Sequence, residues 1–256
     1  MKSIPDFSIE NEIADAYHLS PLIGHNKKLI IAGCDEAGRG PLCGPVVAAA
    51  VIFLKNFESE DQGAEPTLTL KNDLGLIIND SKKMTAAKRE AAYKFITTNP
   101  DIIWSVATCS PTEIDELNIL WASMLAMERA ITKLSLHPDF VLVDGNRLPQ
   151  NLTHAPARKG TISSLASFDY ISQMSGNNIL GRAIVKGDSK SISIAAASII
   201  AKVTRDRIMK SLAVEFPQYG WDKNAGYPTA AHLQAIKIYG INEHYRKTFG
   251  PVKKFL

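Results

Sequence analysis

The adjacent carboxylates Asp35 and Glu36 are the first residues along the chain whose types and spacing suggest chemistry. They come directly after an apolar run, residues 29–34, that predicts a buried strand. A Gly-Arg-Gly sequence at residues 38–40 follows, and its glycines let backbone amides and a guanidinium approach an anion closely. Carboxylates for a divalent metal beside such a turn predict chemistry on a phosphodiester. The same hexapeptide is also compatible with an exposed acidic turn.

Two further apolar strands lead into acids. Residues 140–143 precede Asp144, and residues 183–185 precede Asp188. Because α/β sheets place ligand sites at the carboxyl ends of their strands, we expect these acids to meet Asp35 and Glu36 there. Four carboxylates in one pocket would suit two Mg²⁺ or Mn²⁺ ions, which together can activate water and stabilise a leaving oxygen. Taken singly, Asp144 is also compatible with a turn and Asp188 with the lead into a helix.

Other catalytic classes are excluded by their missing motifs. The sequence contains no G-x-x-x-x-G-K-[ST] loop, no G-x-S-x-G nucleophile elbow and no H-E-x-x-H zinc helix. The histidines show no ligand spacing, although His232 or His244 could reach a site from late helices.

The predicted elements alternate between strands and helices in one contiguous block. Residues 46–53 and 102–108 predict further strands, and residues 54–75 and 150–178 predict loops. Four helix starts carry capping residues, namely Thr85, Ser110 with a capping box, Ser191 or Ser193, and Thr229. In the helix after Ser110, a stripe of apolar residues predicts a buried face: Leu117, Leu120, Trp121, Met124, Leu125 and Met127. The pattern indicates a three-layer α/β domain.

Composition sets wider limits. A chain of 256 residues with 45% hydrophobic content can bury a large core, and its longest apolar run, residues 46–54, is too short to cross a bilayer. The acidic residues 1–20 do not resemble a signal peptide, and the odd count of 3 cysteines fits a reducing cytosol. The net charge is only +3, but residues 181–256 hold 13 Lys and Arg against 5 Asp and Glu. That basic region predicts a nucleic-acid surface, with a solvated basic face as the alternative.

Beyond these patterns, the chain resembles the bacterial ribonuclease HII family, a type 2 ribonuclease H. The motifs that carry the resemblance follow the family's order along residues 29–253: Asp35 to Pro41, Asn79 to Lys83, Glu113 to Asn118, Val143 to Asn146, Lys186 to Asp188, Ala196 to Asp206, Phe216 to Gly220, Gly226 to Thr229 and Phe249 to Val252. The stretch between Asp144 and Asp188 is longer than the family's usual connection.

The resemblance implies a role for each matching residue. The metal-binding catalytic acids correspond to Asp35, Glu36, Asp144 and Asp188. The turn that senses the ribose 2′-hydroxyl and grips the adjacent phosphate corresponds to Gly38, Arg39 and Gly40. A phosphate-contacting segment corresponds to Ser81, Lys82 and Lys83, and the tyrosine that packs on the sugar corresponds to Tyr227.

The same resemblance implies a ribonuclease H-like three-layer fold, with a mixed central sheet and a helical C-terminal part. We expect a weakly structured lead-in over 1–27, a catalytic domain over 28–215 and a substrate-binding part over 216–256. The implied activity is metal-dependent cleavage of the RNA strand of RNA–DNA hybrids, and cleavage 5′ of single ribonucleotides in duplex DNA, leaving 5′-phosphate and 3′-hydroxyl ends. We expect a cytoplasmic monomer whose partner is such a duplex and which binds no membrane. The alternatives are a related nuclease for DNA junctions and an inactive duplex-binding protein.

Overall fold

A computed structural model of the protein describes residues 4–18, 29–54, 78–150, 152–154 and 179–256. Its strands are β1 Ile31–Ala37, β2 Val46–Phe53, β3 Ile102–Cys109, β4 Phe140–Asp144, β5 Leu152–His154 and β6 Ile179–Ile184. Its α-helices are α1 Ser8–His18, α2 Ala86–Thr98, α3 Pro111–Thr132, α4 Ile192–Glu215, α5 Trp221–Asn224, α6 Ala230–Tyr239 and α7 Gly250–Lys253. Short 3₁₀ turns occupy Gly187–Ser189 and Pro217–Tyr219.

The strands form one mixed sheet in the order β3-β2-β1-β4-β6-β5. The β1–β2 and β2–β3 pairs are antiparallel, whereas β4 is parallel to both β1 and β6, and β5 is parallel to β6. The parallel pairing of β1 with β4 aligns Cys34 with Val143, so that Asp35 and Asp144 lie next to each other towards the carboxyl ends of neighbouring strands. The mixed α/β fold predicted from the sequence is confirmed.

The sheet lies between two helical layers. Every residue of β2 is buried, and because successive strand side chains point to opposite faces, its residues supply both cores. On one face Val46, Ala48, Ala50 and Ile52 pack in the core that contains α3. On the other face Ala49, Val51 and Phe53 pack in the core that contains α2 and α4.

The predicted helix caps agree with the structure. The side chains of Thr85, Ser191 and Thr229 each accept a hydrogen bond from a backbone N–H in the first turn of α2, α4 and α6, respectively. Ser110 and Glu113 form both hydrogen bonds of the predicted capping box at the start of α3. These side chains satisfy backbone donors that a helix leaves unpaired at its first turn.

The predicted stripe on α3 is only partly correct. Met124 and Met127 are buried, but Leu117 and Trp121 are exposed. Asn118 interrupts the helix with a φ of 66° and a ψ of 163°, and its side-chain oxygen accepts hydrogen bonds from the N–H groups of Leu120 and Trp121. The second half of α3 is therefore capped separately, and the two exposed residues lie on either side of this break.

The N-terminal segment was expected to be weakly structured, but residues 8–18 form α1, which lies against the start of α4. The carboxylate of Glu10 accepts hydrogen bonds from the hydroxyl groups of Ser191 and Ser193 at the start of α4, and from the N–H of Ser193. Phe7 packs edge-on against Phe53, with ring centroids 5.3 Å apart. The sequence pattern missed this docking because the segment is short and its partners lie far along the chain.

The C-terminal part is helical, as predicted, and it shares a hydrophobic core with the loop before β2 and the second half of α4. Trp221, Tyr219 and Tyr245 lie at its centre, with Ile236 from α6 and Val252 from α7. Of the two predicted loops, residues 55–75 and 155–178 lie outside the described part, and residues 152–154 form β5 rather than a loop. No helix in the described part of the chain is both long and apolar enough to span a bilayer.

Candidate metal centre and adjoining turn

Three carboxylates meet at the carboxyl edge of the sheet. Asp35, Asp144 and Asp188 each present an oxygen atom, and these atoms lie within 4.8 Å of one another. Asp35 lies inside β1 rather than after it, Asp144 ends β4, and Asp188 lies in the 3₁₀ turn between β6 and α4. Adjacent parallel strands and a short connection thus bring together acids that are distant in sequence.

The backbone around these acids is fixed by close packing. The N–H of Gly187 donates to Oδ1 of Asp144 over 2.7 Å, and the N–H of Glu36 donates to Oδ1 of Asp35, also over 2.7 Å. A side chain at Gly33 would overlap the backbone of Ser193, so a glycine is needed where α4 lies directly on β1. These contacts hold the carboxylates in place without neutralising them.

The cluster brings several acidic groups together in a buried setting. Burial raises the pKa of Asp35 well above its usual range, and the charges of Glu36 and Asp144 raise it further. Burial likewise raises the pKa of Asp144, with a second contribution from Asp188. Buried acids that repel one another in this way fit a divalent cation, and an all-oxygen donor set is the one that Mg²⁺ and Mn²⁺ prefer.

Glu36 stands slightly apart from the three aspartates. Its Oε1 lies 3.4 Å from Nη1 of Arg39, three residues later. Burial raises the pKa of Glu36 although Arg39 acts in the opposite direction. The fourth predicted acid therefore lies at the border between the aspartate cluster and the glycine turn.

The three residues of the predicted phosphate-contacting segment, residues 81–83, differ in their exposure to solvent. Nζ of Lys82 lies 3.4 Å from Oδ2 of Asp188, and the side chain of Lys82 is 76% exposed. Lys83 is also largely exposed and pairs with Asp80 over 2.9 Å. Ser81, in contrast, is buried, and its hydroxyl lies 2.8 Å from that of Ser198, which hydrogen-bonds to Asp35.

The Gly-Arg-Gly turn faces Tyr227. Gly38 has a φ of +96°, which favours glycine, and a side chain there would overlap the guanidinium of Arg205. Arg39 and Gly40 are exposed, and Tyr227 is 45% exposed beside Gly40. The structure thus brings the turn and the predicted sugar-packing tyrosine together at the edge of the aspartate cluster.

Sequence reasoning missed two buried arginines behind this turn, Arg205 and Arg246. Both lie in basic stretches whose pattern predicts a solvated or phosphate-binding face, yet both are almost fully buried. Their guanidinium groups donate to backbone carbonyls of residues 38–45 and of Ala225. Only the pairing of distant segments in three dimensions distinguishes such an arginine from an exposed one.

His232 does not reach the acids, although it was one of two histidines that could. Its Nε2 accepts from Nε1 of Trp221 over 3.1 Å and lies 2.8 Å from the hydroxyl of Tyr245. Its Nδ1 lies 2.8 Å from the carbonyl oxygen of Tyr227, which can only accept, so Nδ1 carries the proton. His232 therefore holds the backbone of the loop that carries Tyr227.

Comparison with known proteins agrees with this geometry. The family model described as Ribonuclease HII matches residues 32–249. The chain is 47% identical over 228 residues to the Ribonuclease HII of Magnetococcus marinus, covering 88% of this chain and 87% of the relative. It is 43% identical to the Ribonuclease HII of Ehrlichia chaffeensis, covering 97% and 95% of the two chains.

Solved structures of type 2 ribonucleases H are also similar to this chain. The ribonuclease H2 of Pyrococcus horikoshii OT3 superposes with a TM-score of 0.60 at 27% identity, covering 89% of this chain and 97% of that one. The RNase HII of Archaeoglobus fulgidus, solved in a complex with PCNA, also has a TM-score of 0.60 at 27% identity, with 86% and 95% covered.

Proposed function

The chain belongs to the ribonuclease HII family and is a ribonuclease H acting on RNA–DNA hybrids, and we propose that it also cuts 5′ of single ribonucleotides embedded in duplex DNA. We further propose that it leaves 5′-phosphate and 3′-hydroxyl ends. The observation that supports this most strongly is the cluster of Asp35, Asp144 and Asp188 beside a glycine turn and an exposed tyrosine. A ribonucleotide differs from its neighbours only by its 2′-hydroxyl, so an enzyme that recognises one needs rigid polar groups close to its metal site.

The family depends on divalent metal. The acidic residues of the site are suited to bind the metal, and the other site residues are suited to bind the duplex. Asp35, Glu36, Asp144 and Asp188 hold the cations, which we propose are two Mg²⁺ or Mn²⁺ ions. A divalent cation bound there supplies positive charge against the phosphate and lowers the pKa of water. Because backbone N–H groups fix the carboxylates of Asp35 and Asp144, these two need little rearrangement to bind it.

The remaining predicted residues orient the duplex. The exposed lysines Lys82 and Lys83 attract backbone phosphate, and Lys82 does so within reach of Asp188. Ser81 supports Asp35 through Ser198 in addition to lining this segment. Gly38, Arg39 and Gly40 contact the ribose and its phosphate, while the ring of Tyr227 packs on the neighbouring sugar. Together they align the scissile phosphate over the acids.

We propose that residues 28–215 form the catalytic domain and that residues 216–256 form the substrate-binding part. The dense contacts between Arg246 and the turn support a close functional link between these two parts. We propose that the protein works in the cytoplasm as a monomer whose macromolecular substrate is a hybrid or ribonucleotide-containing duplex.

The decisive experiment uses three matched duplexes: one with a single ribonucleotide, one of the same sequence in DNA, and one with a continuous RNA strand. We expect cleavage of the duplex with one ribonucleotide and of the duplex with a continuous RNA strand, but not of the all-DNA duplex. This cleavage should require Mg²⁺ or Mn²⁺. Mapping the ends by mass tests the 5′ cut and the phosphate position. Cleavage of the all-DNA duplex would instead indicate a DNA nuclease, and binding without cleavage would indicate a duplex-binding protein.

A further inference from the structure

The side chain of Arg246 forms hydrogen bonds with the backbone carbonyl groups of the Gly-Arg-Gly turn. This residue is fully buried. Its Nη2 donates to the carbonyl of Gly38 over 2.6 Å, and its Nη1 donates to the carbonyls of Arg39 over 2.9 Å and Pro41 over 2.8 Å. Nε and Nη2 also donate to Gly44, over 3.0 Å and 2.9 Å. One planar guanidinium thereby holds four carbonyl groups of one loop.

This contact fixes the direction of two N–H groups. A trans peptide is planar, and its C=O and N–H point to opposite sides. The carbonyl of Gly38 shares a peptide with the N–H of Arg39, and the carbonyl of Arg39 shares one with the N–H of Gly40. Because Arg246 draws both carbonyls inward, both N–H groups point away from it.

Those two N–H groups are available to a ligand. Arg39 and Gly40 are exposed, and neither backbone N–H donates to another residue in the described part of the chain. The ring of Tyr227 lies against Gly40. Two exposed backbone donors on successive peptides suit an oxygen acceptor such as a hydroxyl or a phosphate.

The chemistry of Arg246 is unusual for a residue that only fills space. Among the described residues no carboxylate forms an ion pair with it, although a buried cation is normally paired. Burial, with a contribution from nearby Arg205, lowers its pKa to about 9. A fixed fork of donors that satisfies several carbonyls at once is available from arginine but not from lysine.

We propose that Arg246 is a positioning residue that determines specificity for ribose, because it orients the N–H groups of Arg39 and Gly40 towards the 2′-hydroxyl oxygen and the adjacent phosphate. The inference rests on the proposed function and adds to it a residue that does not touch the substrate. Its consequence is that the energetic contribution of the 2′-hydroxyl depends on Arg246.

The test compares binding of a duplex with one ribonucleotide and of the matched all-DNA duplex. Both affinities are measured in Mg²⁺ for full-length protein carrying Asp144→Asn, which prevents turnover, with and without Arg246→Lys. One hydrogen bond in such a site corresponds to a preference of about tenfold. We expect Arg246→Lys to reduce this preference to about twofold or less, because the ribonucleotide duplex should lose more affinity than the DNA duplex, which has only the phosphate contact to lose.

Arg205→Lys is the matched control. Arg205 is equally buried and donates to the carbonyls of Cys43, Pro45 and Ala225, but to none of residues 38–40. It should lower thermal stability to a similar degree and keep the preference for ribose. An Arg246→Lys protein that is folded and keeps the full preference, or weakens on both duplexes equally, overturns the inference.

A second measurement does not depend on the folding of an Arg246 variant. In ¹⁵N-labelled Asp144→Asn protein, the amide resonances of Arg39 and Gly40 should shift differently with the ribonucleotide duplex and the DNA duplex. Identical shifts overturn the inference.

If the unsubstituted protein neither cleaves nor prefers the ribonucleotide duplex, the proposed function fails and the inference fails with it. If it does both and only the Arg246 result is negative, the inference alone fails.

Discussion

The ring of Tyr227 lies directly over Gly40. A Cβ built on Gly40 would be 3.4 Å from Cε1 of Tyr227, which is ordinary van der Waals contact. The two residues are far apart in sequence and are brought together because Leu42 donates its N–H to the carbonyl of Gly226 over 2.8 Å. The position of the ring relative to the turn is therefore set by a backbone hydrogen bond close to both.

Tyr227→Ala should lower cleavage at a single ribonucleotide more than cleavage along a continuous RNA strand. An isolated ribonucleotide offers one register, whereas a continuous strand offers many, so loss of sugar packing matters more for the former. The measurement is the ratio of kcat/KM on the two substrates. Tyr227→Phe keeps the ring and serves as the control. Equal losses on both substrates would make Tyr227 a structural aromatic.

Asp35→Asn should remove nearly all turnover while duplex binding remains. It should also stabilise the metal-free protein at neutral pH. The pKa of Asp35 is raised on folding, so its favourable contribution is present below the unfolded pKa and is lost as pH rises through the folded pKa. Asp35→Asn has no carboxyl group to ionise, so the variant does not lose this stability as pH rises.

The check for Asp35 is thermal unfolding at neutral pH in EDTA and in Mg²⁺. In EDTA the Asp35→Asn protein should have the higher Tm, where about 1 kcal/mol corresponds to about 2–4 °C. Adding Mg²⁺ should raise the Tm of the unsubstituted protein more than that of the variant. A variant that gains as much from Mg²⁺ would contradict the role of Asp35 as a ligand.

His232 should make the free energy of unfolding depend on pH. Burial lowers its pKa, so the neutral form is favoured in the folded state and stability falls as pH drops below the unfolded value of about 6.5. Each unit of lowered pKa corresponds to about 1.4 kcal/mol. Urea unfolding at about pH 7.5 and about pH 5.5 should show a smaller difference for His232→Asn than for the unsubstituted protein. An unchanged difference would assign the pH effect to other groups.

The lysines at the C-terminal end should contribute to the salt dependence of duplex binding. Truncation cannot test this, because residues 241–256 include the buried Tyr245 and Arg246. Lys253→Ala and Lys254→Ala change exposed side chains only. Each phosphate that a lysine no longer neutralises should lower the slope of log affinity against log salt by about 0.9, whereas Lys133→Ala, outside the basic region, should not change it. An unaltered slope in the double variant would show that these lysines do not bind phosphate.

Local patterns were sufficient for much of the fold. The strand of residues 46–53 and the caps Thr85, Ser110 and Thr229 follow from neighbouring residues alone, and the structure agrees with each. The convergence of Asp35 with Asp144 also followed from local signals, because strand ends in α/β sheets collect ligand groups. Such features depend on interactions within a few residues or on a general property of the fold.

The features that were missed have two different causes, a local break in a helix and a pairing of residues distant in sequence. The break at Asn118 is a backbone conformation that the apolar stripe does not encode, and so the exposure of Leu117 was not predicted. The burial of Arg246 requires the loop that it holds, which comes about two hundred residues earlier. The sequence identifies Arg246 as a positively charged residue. It does not identify the loop that Arg246 contacts, and that contact determines its role.

Glu10 provides the test of whether the N-terminal segment is part of the folded core. It is buried, and one of its oxygens accepts three hydrogen bonds from Ser191 and Ser193, just after the turn that carries Asp188. Glu10→Ala removes the acceptor of these three buried hydrogen bonds, so the free energy of unfolding should fall by about 1–3 kcal/mol. Glu12→Ala is the matched control on the same helix, because Glu12 is exposed and forms only a 3.4 Å surface pair with Arg182. That change should have an effect of about 0.5 kcal/mol or less. Urea denaturation of both variants measures the difference, and equal stabilities would show that the segment contributes little to the fold.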